Sequence, residues 1–168
     1  MQINMFQESQ SFRQWWLFII MLSPHAIFLT GIYKQVVLHQ QFGQNPASTG
    51  ILIGVEVFLI LLSLFMFSMR LETRIDAQGI HAKFPPIFNK ERTYIWADVK
   101  SVYVREYNPL MEYGGWGFRS SMKGNGNAWN VSGNKGLQIE MIDGKKFMIG
   151  TQKPDELEVI INKYIKHE

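Results

Sequence analysis

The 168-residue chain contains no cysteine. A disulfide framework, a thiolate metal site and a cysteine nucleophile are therefore excluded. Charge is sparse as well: charged residues make up 18% of the chain and the formal net charge is +3. With 46% hydrophobic residues, the chain lies outside the composition of disordered proteins. A basic stripe is also missing. From residue 70 onward, fifteen Lys and Arg alternate with twelve Asp and Glu instead of forming a block. Nucleic-acid binders concentrate such residues, so no nucleic-acid partner is expected. The four histidines are far apart, and no HExxH, GxSxG or carboxylate–histidine pair at metal spacing occurs. No catalytic residue, metal or cofactor is expected, and the chain reads as non-enzymatic.

What the chain does have is apolar sequence concentrated between residues 15 and 69. Residues 50–69 carry a single charge, and twenty residues at about 1.5 Å each span roughly 30 Å of hydrocarbon. Residues 15–34 form a second apolar run, interrupted by Pro24 and His25 and bounded by Trp15, Trp16 and Tyr33 as interfacial aromatics. It lacks a small-residue cleavage site and is longer than a signal-peptide core, so a retained helix is expected. The expected organisation is an N-terminal segment 1–14, a transmembrane helical hairpin 15–69 with helices about 15–34 and 50–69, and a soluble domain 70–168. Arg13 precedes the first helix and Arg70, Arg74 and Lys83 follow the second, whereas the intervening loop holds only Lys34. This bias predicts a multi-pass protein of the cytoplasmic (inner) membrane with both termini cytoplasmic.

Glu56 is the residue that does not suit its surroundings, because a charge in mid-membrane costs a few kcal/mol, about 2.5–3.5 on insertion scales. Helical rise places it level with His25 and Thr30 on the first helix. An intramembrane polar contact of Glu56 with His25 or Thr30 is expected, helped by Ser23, Ala26, Gly50 and Gly54 as small residues at the helix contact. Two roles stand open: a polar clip between the helices, or a proton or ion site.

Beyond residue 70 the period changes to two. Leu71, Thr73, Ile75 and Ala77 alternate with Glu72, Arg74 and Asp76, and Ile80, Ala82 and Phe84 continue the pattern. His81 then falls on an outward, exposed strand position. Residues 92–96 and 99–107 are rich in β-branched and aromatic side chains, and Asp143-Gly144 turns a clear hairpin. Leu157, Ile160, Ile161, Tyr164 and Ile165 then mark an amphipathic helix over about 154–167. Pro154, Asp155 and Glu156 favour its start, and Lys163 and Lys166 its end.

Residues 113–136 hold seven of the fourteen glycines and two of the five tryptophans. Neither GxxxxGK[ST] nor GxGxxG is present, and no helix follows, so a phosphate loop is excluded. The stretch reads as turns between short strand-like pieces. Its large side chains have two readings: Trp116, Phe118 and Trp129 fill the barrel core or cover its open edge, or Tyr113, Trp116, Arg119 and Trp129 form a recognition surface beside an exposed strand.

Two membrane helices, several antiparallel strands and a capping helix resemble the bacterial membrane proteins that carry a pleckstrin-homology-like (PH-like) domain. The resemblance is carried by residues 94–119, by residues 129–157 and by the helix after Pro154, and it covers residues 70–168 as architecture. It implies a mainly antiparallel α+β fold, a PH-like barrel or sandwich of seven or so strands closed by the C-terminal helix. It also implies binding of a protein or lipid partner, with membrane lipids and a protein partner or second copy as candidates. Phosphoinositide-binding relatives use a tight basic cluster around the first hairpin; only Lys83, Lys90 and Arg92 lie here, so specific phosphoinositide binding is not expected. A small accessory subunit of a membrane transport or secretion complex, with Glu56 at a helix–helix contact, is the alternative.

Overall fold

The computed structural model describes residues 5–121 and 124–165. It divides into two compact units: residues 12–68, and the chain on either side of them.

The first unit contains α1 (Trp15–Val36) and α2 (Thr49–Ser68), both long and apolar enough to cross a membrane. Apolar side chains such as Phe58, Leu61 and Leu64 point away from the helix contact and are exposed. The helices run antiparallel, since Phe18 near the start of α1 stacks on Phe67 near the end of α2, and Gln35 bonds to Thr49 at the opposite end. The expected small-residue contact is not where the helices meet. Gly50 and Gly54 face open space, Ala26 is exposed, and the Ser23 hydroxyl donates to the carbonyl of Ile20 in its own helix. The tight position is Gly31, where an added Cβ would sit 2.8 Å from the ring of Phe42.

The second unit is built from two sheets. The first has the order β1-β2-β3-β4, with β1 (Phe6–Ser11), β2 (Arg70–Ile75), β3 (Gly79–Phe84) and β4 (Phe88–Ile95), all antiparallel. The second contains β5 (Val99–Glu106), α3 (Pro109–Tyr113), β6 (Gly117–Ser120), β7 (Asn127–Asn130), β8 (Lys135–Met141) and β9 (Lys146–Gly150). Its strand order is β5-β8-β9-β7-β6, and only the β7–β9 pair is parallel. Helix α4 (Pro154–Ile165) follows and buries Leu157 and Ile161. Antiparallel sheets with a C-terminal helix are as expected, but the sheets remain separate and do not close into a barrel. The expected last turn of α4, with Lys166, lies outside the described residues.

The largest departure is at the start of the chain. Residues 1–14, expected as a separate segment, supply β1, which pairs with β2 over the full register from Phe6↔Ile75 to Ser11↔Arg70. Its inward side chains are Phe6, Glu8 and Gln10. Two of the three are polar, which hides the strand from a search for apolar alternation. They are stabilised by hydrogen bonds rather than by apolar contact. Buried Glu8 accepts from the Thr151 hydroxyl at 2.7 Å and the Gln152 amide at 2.8 Å, and Gln10 donates to the Gly150 carbonyl at 2.7 Å.

The core between the sheets is aromatic at one end. Trp129, only 1% exposed, stacks on Phe88 and meets Phe84 and Phe147 edge-on. Tyr94 stacks on Phe147. Such pairs contribute about 0.5–1.5 kcal/mol each beyond their burial.

Candidate functional site

The glycine-rich stretch folds as an insertion between β5 and β8. Asn108 caps α3 through the amides of Leu110 and Met111, Pro109 occupies the first turn, and Gly114 ends the helix at φ 72°. Arg105 on β5 grips Glu112 with both guanidinium nitrogens, at 3.3 and 2.8 Å, and Glu112 also accepts from the Asn108 amide and from Asn125. Burial would raise the Glu112 carboxyl, but the Arg105 hydrogen bonds and the other donors hold it below its ordinary value. At Gly126, with φ 77°, an added Cβ would sit 1.8 Å from the Lys146 carbonyl, so only glycine fits where the insertion crosses β9.

This frame decides where the four candidate recognition residues lie. Trp129 and Tyr113 are buried, the latter 3% exposed and edge-on to Tyr107. Trp129 is core, as the first of the two readings had it, and so is Tyr113, whereas Phe118, which that reading also included, is 43% exposed. Trp116 is half-buried and its indole donates to the Gly133 carbonyl at 3.1 Å. Arg119 is exposed, and its Nε donates to the Trp116 carbonyl. Trp116 and Arg119 are therefore the two members of the set with surface to offer, and they share one corner.

The helical unit brings together the expected pair and one residue more. His25 Nδ1 lies 2.8 Å from Glu56 Oε1, and His25 Nε2 lies 3.0 Å from the Ser63 hydroxyl. Thr30 takes no part; it is exposed and donates to the Ala26 carbonyl of its own helix. Ser63 escaped the sequence reading although it lies seven residues, two helical turns, from Glu56 and so on the same face. Serine, histidine and carboxylate stand in the order of a hydrolytic triad. Acyl transfer also needs donors for the developing oxyanion, and the amides around Ser63 bond within α2. The contact joins α1 to α2. Glu56 Oε2 is buried without a hydrogen-bond partner.

His81 corrects a further expectation. It is 3% exposed, with Nε2 3.1 Å from Asp76 and Nδ1 3.0 Å from the Thr93 hydroxyl and 3.3 Å from Glu91. Arg74 pairs with both carboxylates. Burial would raise Asp76, yet the Gln78 amide, His81 and Arg74 together hold it below the usual range. The two carboxylates meet opposite nitrogens of the ring, a geometry that orders a sheet face and does not converge on one ion. Among the described residues no group of three or more His, Cys, Asp or Glu could hold a metal.

A recess of about 670 Å³ in the β unit is lined by residues of β4, by Ser121, Gly124, Gly126 and Asn127, and by the β8–β9 hairpin. Arg92, Tyr94, Asn127, Lys145 and Lys146 line it. The Arg92 guanidinium lies 5.3 Å from the centre of the Trp129 ring and 5.6 Å from that of Phe147. The Tyr94 hydroxyl beside it is buried without a hydrogen-bond partner among the described residues, and burial, against the lowering effect of Arg92, pushes it up to about 12.

Neither models of known protein families nor the curated proteins give a match to this chain.

Proposed function

We propose that the chain is a non-enzymatic, multi-pass protein of the bacterial inner membrane whose PH-like domain binds a protein or lipid partner at the cytoplasmic surface. The observation that carries this reading is the β1–β2 register. Ser11 pairs with Arg70, so the chain leaves one strand, forms the two-helix unit and re-enters the neighbouring strand of the same sheet. With both helices crossing a bilayer, the two flanks then lie on one side. Arg13, Arg70, Arg74 and Lys83 on the flanks, against Lys34 in the loop, favour the cytoplasm. The PH-like reading is supported by the four-stranded meander, the β5-β8-β9 succession and the helix after the last strand. The α3–β6–β7 insertion and the open sheets depart from it.

Protease added to inverted membrane vesicles is expected to cleave within residues 70–168, while intact spheroplasts protect them. Cleavage in spheroplasts alone would overturn the orientation. A second reading, a small subunit of a transport or secretion complex, is favoured by the buried, unpartnered Glu56 Oε2. Loss of co-purifying membrane proteins on Glu56→Gln supports the subunit; an unchanged set supports a plain anchor.

A further inference from the structure

Edge strand β4 presents Phe88, Arg92 and Tyr94 on one face and Glu91 and Thr93, the partners of His81, on the other. The first face is the one turned toward the second sheet: Phe88 packs on Trp129 and Tyr94 on Phe147. Arg92, on an open edge strand, thus lies over the inward rings of Trp129 and Phe147. Inward charges blunt strand addition at an edge, so an extended peptide pairing with β4 is disfavoured. They do not by themselves account for a recess of about 670 Å³, a volume within the roughly 300–1,000 Å³ of small-molecule sites.

Cations outnumber carboxylates in the recess, where Arg92, Lys145 and Lys146 stand with Asp143. Lys145 is paired with Asp143, and Lys146 with Glu140. Arg92, stacked on two rings, has no carboxylate partner among the described residues. The buried Tyr94 hydroxyl is a donor with no acceptor among the described residues. Asn127 adds an amide. A phosphate offers several acceptor oxygens and more than one charge, and Arg binds it in a fork.

We propose that this recess is a binding site for a phosphate group, held by Arg92 and Lys146 with the Tyr94 hydroxyl, and carried by a soluble phosphate ester or a lipid headgroup. It deepens the reading of the β unit as a binding module and does not depend on which side of the membrane that unit lies.

The test is calorimetric titration of the full chain in dodecyl maltoside with glycerol 3-phosphate. Saturable binding is expected. Arg92→Gln and Lys146→Gln should each weaken it roughly tenfold, the equivalent of about 1.4 kcal/mol. Tyr94→Phe should weaken it less, and Lys100→Gln, on β5, should leave it unchanged. Lys146 is exposed, so its variant keeps the fold if Arg92→Gln disturbs the stacked rings. Repeating the titration in phosphatidylcholine nanodiscs with and without phosphatidic acid separates the sources: suppression by phosphatidic acid assigns the site to the headgroup, and an unchanged isotherm assigns it to the soluble ester. No saturable heat with glycerol 3-phosphate and no phosphatidic acid-dependent change in amide exchange at Arg92–Tyr94 would overturn the proposal. So would binding that survives both Arg92→Gln and Lys146→Gln. A failed titration leaves the protease result untouched, so the two readings fail separately.

Discussion

The two units solve the problem of buried polar groups in opposite ways. The helical unit has few of them, gathered on one histidine of α1 that bridges Glu56 and Ser63 of α2, while the exposed Thr30 and Ser23 bond back to their own helix. The β unit instead uses polar side chains as long-range ties. Glu8 reaches Thr151 and Gln152, Gln10 reaches Gly150, and Arg105 fastens Glu112 of the insertion. In a bilayer the helix itself satisfies the backbone, so composition alone defines the element. In the β unit, polar groups determine which strands meet, and composition conceals it.

The sharpest break in this comparison should come from Trp129→Ala. The side chain is enclosed by Phe84, Phe88 and Phe147, and its loss should cost about 3–5 kcal/mol of β-unit stability. Chemical denaturation read from near-UV circular dichroism would report this, with the α1–α2 signal unchanged in detergent. Glu8→Ala comes next. It leaves the Thr151 hydroxyl and Gln152 amide without their acceptor, at about 1–3 kcal/mol, and amide exchange in β1 should rise before that in β8. Glu56→Leu should have a smaller effect, about 0.6–1.7 kcal/mol of helix association, seen as easier separation of α1 from α2 in denaturing detergent.

Two titrations give weaker but diagnostic effects. The folded Glu112 carboxyl lies below its ordinary 4.5, so its contribution is present above about that pH and is lost as the pH falls through the folded value. The acid limb of the melting curve should flatten in Glu112→Gln. Tyr94 and Tyr107 are both pushed up to about 12 by burial, from 10.0. The stability they contribute is present below about 10 and is lost as the pH rises through 12. Burial raises Tyr103 and Tyr113 as well, so phenolate absorbance should show four of the six tyrosines ionising late, Tyr94 and Tyr107 among them.

The same contrast explains how much was legible beforehand. Both apolar helices are readable to within two residues because twenty apolar residues have few alternatives. The Glu56–His25 contact follows from helical rise. The β2–β3 and β8–β9 hairpins and α4 are readable from period and turn residues. Strand β1 is not, because two of its three inward residues are polar and their partners lie some 140 positions away. His81 misleads for the same reason: its strand position looks outward, and Asp76, Glu91 and Thr93, residues with no apolar signal, cover it. In the glycine-rich stretch the need to bury Trp129 is visible in sequence. The parallel β7–β9 pairing is not, since nothing local encodes which strand lies alongside.

The central claim is that the two-helix unit is inserted between neighbouring strands of a single sheet. The cysteine-free chain allows a direct measurement: Ser9→Cys with Glu72→Cys, positions directly opposite in the β1–β2 register, oxidised in native membranes. A disulfide within one chain is predicted for this pair and none for Ser9→Cys with Lys100→Cys. Failure of the Ser9–Glu72 pair to crosslink, or equal crosslinking of both pairs, would contradict it.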